Sequence, residues 1–177
     1  ATPGVEYSEV LSAINGTLPY YWDMVIEYSE IENPNLFPTE TMDQLTMTND
    51  DDGFAIIDLD FSFPYYGKLH DHIVISTNGS ISFGEVFEDV RTESDIRQTK
   101  TIAPYVTDLM SYPVDGDGIF YYINEDYVII RWITSMFDMQ EVNLDFSAKL
   151  YADGNIEFFY GDGFTTGLDW GAGISNG

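Results

Sequence analysis

Ile73-Val-Ile-Ser-Thr-Asn-Gly-Ser-Ile-Ser-Phe-Gly84 holds two short strand-like runs around Asn78-Gly79. Asn and Gly tolerate positive φ, so this pair between apolar runs is the strongest short-range hairpin signal a sequence offers. Just upstream, Phe54 to Phe63 alternates, with Ile57, Leu59, Phe61 and Phe63 on one face and Asp58, Asp60 and Ser62 on the other. A period of two with one apolar face predicts a half-buried strand. Pro64, Tyr65, Tyr66 and Gly67 are expected to stop it.

Downstream, Ile119 to Ile123 and Tyr127 to Ile133 flank Asn124, Glu125 and Asp126, which predicts a second hairpin. A third is expected from Leu144, Phe146, Ala148 and Leu150, the turn Asp153-Gly154, and Ile156, Phe158 and Tyr160 returning. Successive hairpins with no convincing period of 3.6 between them predict an all-β chain, folded as an antiparallel, jelly-roll-like β-sandwich. The polar stretch 85–100 reads as a long loop.

Residues 1–50 are less regular and read as an N-terminal extension, with the sandwich over 51–177. Tyr20-Tyr21-Trp22-Asp23-Met24-Val25 resembles a strand, so the first strand of the sandwich is a candidate near 20–25. Ser8 to Ile14 suits a helical turn or a strand. No internal repeat is visible.

Composition narrows the function classes. The chain has 177 residues, enough for one sandwich with a real core. It is 44% hydrophobic and 16% aromatic, so burial can offset chain entropy. Six basic against 31 acidic residues give a formal charge of −25, which repels phosphate backbones and anionic lipid surfaces. Nucleic acid and membrane-surface partners are therefore disfavoured. Such a charge also repels itself unless salt, bound cations or low pH moderate it. With no Cys, neither disulfides nor thiolate metal sites are available. No run of about 18 apolar residues predicts a membrane-spanning helix. The start Ala1-Thr-Pro-Gly4 reads as a mature terminus left by signal cleavage, which suits secretion.

Several pieces, taken in order, resemble a known family: Phe61 to Gly67, Ile73 to Gly84, Thr101-Ile-Ala-Pro104 with Asp108-Leu109, Gly118 to Tyr122, Val128 to Trp132, and Ala148 to Gly161. The set is similar to the nidogen-like β-sandwich of extracellular matrix proteins and of many bacterial and archaeal surface proteins, and it covers roughly Trp22 to the C-terminus. The resemblance implies an extracellular or cell-surface setting and a structural, adhesive or accessory role, with no catalytic residues to carry over. Members often continue beyond Gly171-Ala-Gly-Ile-Ser-Asn-Gly177. A missing closing strand would leave an open sheet edge for a neighbouring chain, with residues 1–50 as the candidate donor.

Candidate chemistry is sparse. Gly173-Ile-Ser-Asn-Gly177 fits the nucleophile-elbow pattern, but Ser175 lacks the following helix and later His that the pattern requires. His70 and His72, the only histidines, would point the same way on an extended segment, as a metal site needs, yet no third ligand is specified. They read as loop histidines beside a turn. The acidic turns Asp115-Gly-Asp117-Gly118 and Asn49-Asp-Asp-Asp-Gly53 suit the oxygen-rich shell of Ca²⁺, with Asp115 and Asp117 the first candidates and Asp51 the second. Asn15-Gly-Thr17 and Asn78-Gly-Ser80 are glycosylation patterns. The tyrosines and tryptophans, Trp170 among them, suit either core packing or a sugar-stacking surface.

The reading that follows is a secreted structural or adhesive module, not an enzyme, that assembles with copies of itself, in its sharpest form as a filament subunit built by strand addition. The alternative is a carbohydrate- or protein-binding module of a larger secreted adhesin or enzyme.

Overall fold

A computed structural model describes residues 28–32, 35–84, 89–112, 116–161, 164 and 170–177. Two antiparallel sheets face one another, as the alternation predicts. The first has the order β1 (Asp43–Gln44), β7 (Gly118–Ile123), β8 (Tyr127–Met136), β9 (Met139–Tyr151) and β10 (Ile156–Tyr160), and β6 (Leu109–Met110) pairs with the far end of β8. The second has the order β11 (Gly171–Asn176), β5 (Lys100–Val106), β4 (Ile81–Ser82), β3 (Lys68–Ser76) and β2 (Phe54–Tyr65). Both sheets are largely meanders, because short turns bring each strand back beside its predecessor.

The core lies between the sheets. Phe63, Ile73, Ile75, Ile81, Ile102 and Tyr105 from one side meet Leu109, Ile130, Trp132, Leu144, Phe146 and Leu150 from the other, all fully buried. Trp132 stacks on Phe146 with centroids 5.2 Å apart, and its Nε1 donates across the sandwich to the Ser76 carbonyl at 2.9 Å. The indole thus supplies apolar area and satisfies a backbone acceptor of the facing sheet.

The hairpins at 118–133 and 144–160 form with the expected turns. Other details differ from the sequence reading. The Asn78-Gly79 hairpin pairs Ile75 with Ile81, and Ser76 N donates to Ser80 O, so its loop is the three residues Thr77 to Gly79 rather than a two-residue turn. Only Gly79 takes positive φ, at 86°. A Cβ there would lie 1.9 Å from the Tyr105 carbonyl oxygen, so the close approach also requires glycine.

Pro64 does not end β2. The strand continues to Tyr65 and turns at Tyr66-Gly67 into β3, with Tyr65 opposite Lys68. Proline is tolerated because β2 is an edge strand. Between Asp58 and Phe63 the ladder breaks, four residues of β2 standing against Asp71 alone.

The segment 85–100 is not simply a loop. Within it α1 (Glu93–Gln98) begins at a capping box, in which Thr92 accepts from Asp95 N while the Asp95 carboxylate accepts from Thr92 N. Ile96 of α1 joins Val90, Ala103 and Val106 in a small second core, and β5 follows directly at Lys100.

Residues 43–47 belong with the sandwich although the sequence reading placed them in the extension. Asp43 and Gln44 pair with Tyr121 and Phe120, and Leu45 and Met47 pack on the core. Before them, Phe37 packs on Phe159 and under the Arg131 guanidinium, and Glu40 accepts from the Tyr127 hydroxyl. The predicted strand at 20–25 and the segment 8–14 lie outside the described residues. The stretch 171–176 is itself a sheet edge: β11 pairs with β5, Ile174 opposite Ile102.

Candidate functional site

The end of the second sheet where β2 begins and β3 and β5 finish gathers the most concentrated polar chemistry among the described residues. Asp51 and Asp52 precede β2, Asn78 follows β3, Asp108 follows β5, and Asp89 and Arg91 approach from the segment before α1. Asn78, fully buried, holds them in register. Its Nδ2 donates to Asp52 at 3.0 Å and to Asp89 at 2.9 Å, and its Oδ1 accepts from Leu109 N at 2.8 Å. The amide ties the hairpin loop to three other segments and uses both ends of its polarity to do so.

Arg91 is the cation of the cluster. It reaches Asp52 at 2.5 Å, Asp89 at 2.8 Å and Asp108 at 2.9 Å. Four carboxylates against one guanidinium leave an excess of negative charge. Oxygens of Asp51, Asp52 and Asp108 lie within 4.8 Å of one another. Asp51 Oδ1 is sealed from solvent and has no hydrogen-bond partner. Burial, then the neighbouring Asp52 and Asp108 charges, push the Asp51 carboxyl above its ordinary range, against the opposing pull of Arg91. An all-oxygen set of this kind suits a hard divalent cation, and a proton is the other species that would relieve it.

The sequence candidates separate here. Asp51 joins the cluster, in company with Asp52 and Asp108 and not with Asp117. Asp117 is buried elsewhere, where its Oδ2 accepts from Tyr112 N and Ser135 Oγ at 3.0 Å each. It organises the approach to β7. Asp115 and the glycosylation candidate Asn15 lie outside the described residues. Asn78 is inaccessible in the folded chain, and the nitrogen that a glycan would occupy is spent on Asp52 and Asp89. That side chain serves the fold.

His70 and His72 find separate partners. His70 Nε2 lies 3.1 Å from Lys100 Nζ, and the ring packs on Phe83; His72 Nδ1 meets Asp71 at 2.8 Å. Burial, followed by the Lys100 charge, lowers the His70 pKa, so the ring is held neutral and accepts from the ammonium. Ser175 lies in β11, and its backbone N and O contact the Tyr65 hydroxyl. Asp52, Asp89, Arg91 and Asp108 were not singled out in the sequence. In the sequence, Asp108-Leu109 carries only the family resemblance.

A family model described as NIDO related matches residues 27–177. The chain belongs to the NIDO-related family. Domains of this family are typically extracellular, and the family is not one of known enzymes. No solved structure matches the chain. Among the described residues, no helix of this NIDO-related domain is long and apolar enough to cross a membrane.

Proposed function

We propose that this NIDO-related domain is a non-enzymatic structural or adhesive module, and that copies assemble by adding a strand to the outer edge of β11. The observation that supports the reading is the contrast between the two edges of the second sheet. β2 carries Asp58, Asp60, Pro64 and the four-against-one bulge, each of which obstructs a further strand. β11 reads Gly-Ala-Gly-Ile-Ser-Asn, with neither a charge nor a proline, and its own register shift is confined to its start, between Gly171 and Gly173. Backbone groups along such an edge are an acceptor for an extended segment. Residues 43–47 pack within their own domain, so the donor is sought before them in the sequence.

The test is light scattering with size exclusion and negative-stain microscopy, at neutral and acidic pH, with and without millimolar Ca²⁺. Regular assemblies of the native chain, lost in Ala172→Lys, are the expected result. Ala172 is exposed on the edge strand, so a lysine there charges the edge without entering the core. A chain that stays monomeric in every condition refutes the assembly reading.

The carboxylate cluster favours a companion reading, uptake of Ca²⁺ by Asp51, Asp52 and Asp108. What supports it is the convergence of three carboxylate oxygens with a buried, unpartnered Asp51 Oδ1. Bound Ca²⁺ would offset the local charge excess and so support assembly of a chain this acidic.

A glycan-binding role gains support from two rings. Trp170 is 49% exposed and stacks one face on Tyr105, and Tyr160 is 46% exposed. Glycan screening of a monomeric chain tests that alternative.

A further inference from the structure

β4 ends at Ser82, and among the described residues side chains take over where its ladder stops. The Phe83 ring stacks on Tyr65 with centroids 4.4 Å apart, and the His70 ring packs against it at 4.5 Å. Tyr65 and His70 stand near the tip of the β2–β3 hairpin, whereas Lys100 and Thr101 open β5. The fully buried Tyr65 carries the contact that reaches β11. Its Oη lies 2.6 Å from the Thr101 carbonyl oxygen and 2.9 Å from that of Ser175, and it accepts from Ser175 N at 3.2 Å. One hydroxyl from β2 thus adds a second fastening to the far half of β11, which the ladder already joins to β5.

The hairpin tip is joined to β5 by a polar pair as well. His70 Nε2 lies 3.1 Å from Lys100 Nζ. A charged ammonium has only donors, so this bond exists only while that ring nitrogen carries no proton. Protonating the ring sets two cations at the same distance, in a part-buried site where water screens them weakly. The other groups around His70, among the described residues, are Lys68, Asp71 and His72 on its own strand and Tyr65 on β2, beyond the Phe83 ring. Burial, then the Lys100, His72 and Lys68 charges, lower the His70 pKa. Asp71 opposes them, but its carboxylate is engaged by His72 Nδ1 at 2.8 Å. Asp58 stands opposite His72, and Asp60 lies in the bulge of β2.

We propose that His70 and Lys100 form an acid-released latch: protonation of His70 drives the hairpin tip from β5, the Tyr65 hydroxyl withdraws from Ser175, and the end of β11 loosens while the core between the sheets stays folded. His70, Phe83 and Tyr65 pack ring on ring, so the tip does not leave Lys100 without moving the Tyr65 hydroxyl. A shift of about 1 Å is enough to take such a contact beyond hydrogen-bond range. Tyr28, packed on Tyr65 and Tyr66 with centroids at 5.9 and 5.4 Å, ties the segment that enters the domain to the same latch. The fold favours the neutral ring. The latch is therefore closed above the ordinary His value of 6.5, and its hold is lost as pH falls from there through the lower folded value. It belongs to one copy of the domain and needs no assembly.

Amide hydrogen exchange followed by NMR on the full chain tests it, with Ser175 N–H as the reporter because it donates to the Tyr65 hydroxyl. Between about pH 7.5 and about pH 5 the Ser175 protection factor should fall about tenfold. That of Ile130, on the central strand β8 of the first sheet, should stay within about twofold. Two variants should hold Ser175 protection across the same range: Lys100→Met, which removes the second charge, and His70→Gln, whose amide oxygen accepts from Lys100 and does not titrate. Tyr65→Phe should lose that protection at every pH. The His70 ring should titrate lower in the native chain than in urea, and higher in Lys100→Met than in the native chain. Circular dichroism at neutral pH checks the folding of each variant, and His70→Gln carries the comparison if Lys100→Met unfolds. A Ser175 amide indifferent to pH, a fall shared equally by Ile130, a fall that persists in His70→Gln, or native-like Ser175 protection in Tyr65→Phe would each overturn the proposal.

Discussion

Replacing Asn78 by Ala tests whether the buried amide organises the acidic end of the sandwich. The substitution leaves Leu109 N–H without its acceptor, at a cost of about 2 kcal/mol for a buried donor. It also removes one donor each from Asp52 and Asp89, whose side chains are 44% and 39% exposed, so water replaces those bonds at roughly 0.5 kcal/mol each. The vacated amide volume adds about 1 kcal/mol. The expected loss is about 3–4 kcal/mol, or roughly 10 °C in Tm for a chain of this size. Urea titration and thermal melts followed by circular dichroism measure it. Asn78→Asp sharpens the test: it keeps an acceptor for Leu109 N–H but sets a fifth carboxylate against Asp52 and Asp89. Its loss should match that of Asn78→Ala at neutral pH and shrink as pH falls, starting above the ordinary carboxylate range, because burial and the neighbouring carboxylates favour the protonated form of the new carboxyl. A loss under about 1 kcal/mol for Asn78→Ala would refute the role assigned to the amide.

Trp132→Phe should cost about 3 kcal/mol in urea titration, because the Ser76 carbonyl loses its donor and the core loses indole area stacked on Phe146; a cost below about 1 kcal/mol contradicts this. The Asp51 carboxyl holds its proton more tightly in the folded chain, so its contribution to stability is fully present below about pH 4 and is lost as pH rises through the folded value. Asp51→Asn should therefore be the more stable form at pH 7 without Ca²⁺, with a flatter dependence of Tm on pH above about pH 4. If Ca²⁺ binds with a Kd near 10⁻⁴ M, about 5 mM of the ion should stabilise the native chain by about 2 kcal/mol, roughly 5 °C in Tm, and should do little for Asp51→Asn. Equal Ca²⁺ responses in the two proteins would count against the cluster as the site.

Local pattern was enough wherever one strand pairs with its neighbour across a short turn. The alternation of Ile57, Leu59 and Phe61 and the turns at 124–126 and 153–154 are all physics within about ten residues. Other local signals are present but weak. The Thr92 to Asp95 capping box announces α1, but the helix has only six residues and lies in a polar stretch with a single buried apolar side chain, Ile96, so periodicity gave no support. Pro64 reads as a strand end until its strand is known to be an edge, and edge position is a property of the assembled sheet.

The acidic end was illegible for a different reason. Asp51, Asp89 and Asp108 are separated by up to 57 positions, and 31 acidic residues offer many combinations that pattern alone does not rank. Register selects among them: the pairing of β2 with β3, and of β4 with β5, carries Asp52, Asn78 and Asp108 to the same end. Asn78 shows the limit most clearly, since one short tripeptide serves equally as a turn, a glycosylation pattern and the buried hub of the carboxylate cluster.

By itself the sequence determined the all-β class, the antiparallel hairpins, the acidity and the absence of thiol chemistry, because these follow from composition and from interactions between near neighbours in the chain. Only the tertiary structure decided which carboxylates converge on Arg91, which sheet edge is free of charge, and that the buried Asn78 amide ties that end together. Those depend on sheet order and strand direction, which bring residues distant in the chain within a few ångströms of one another.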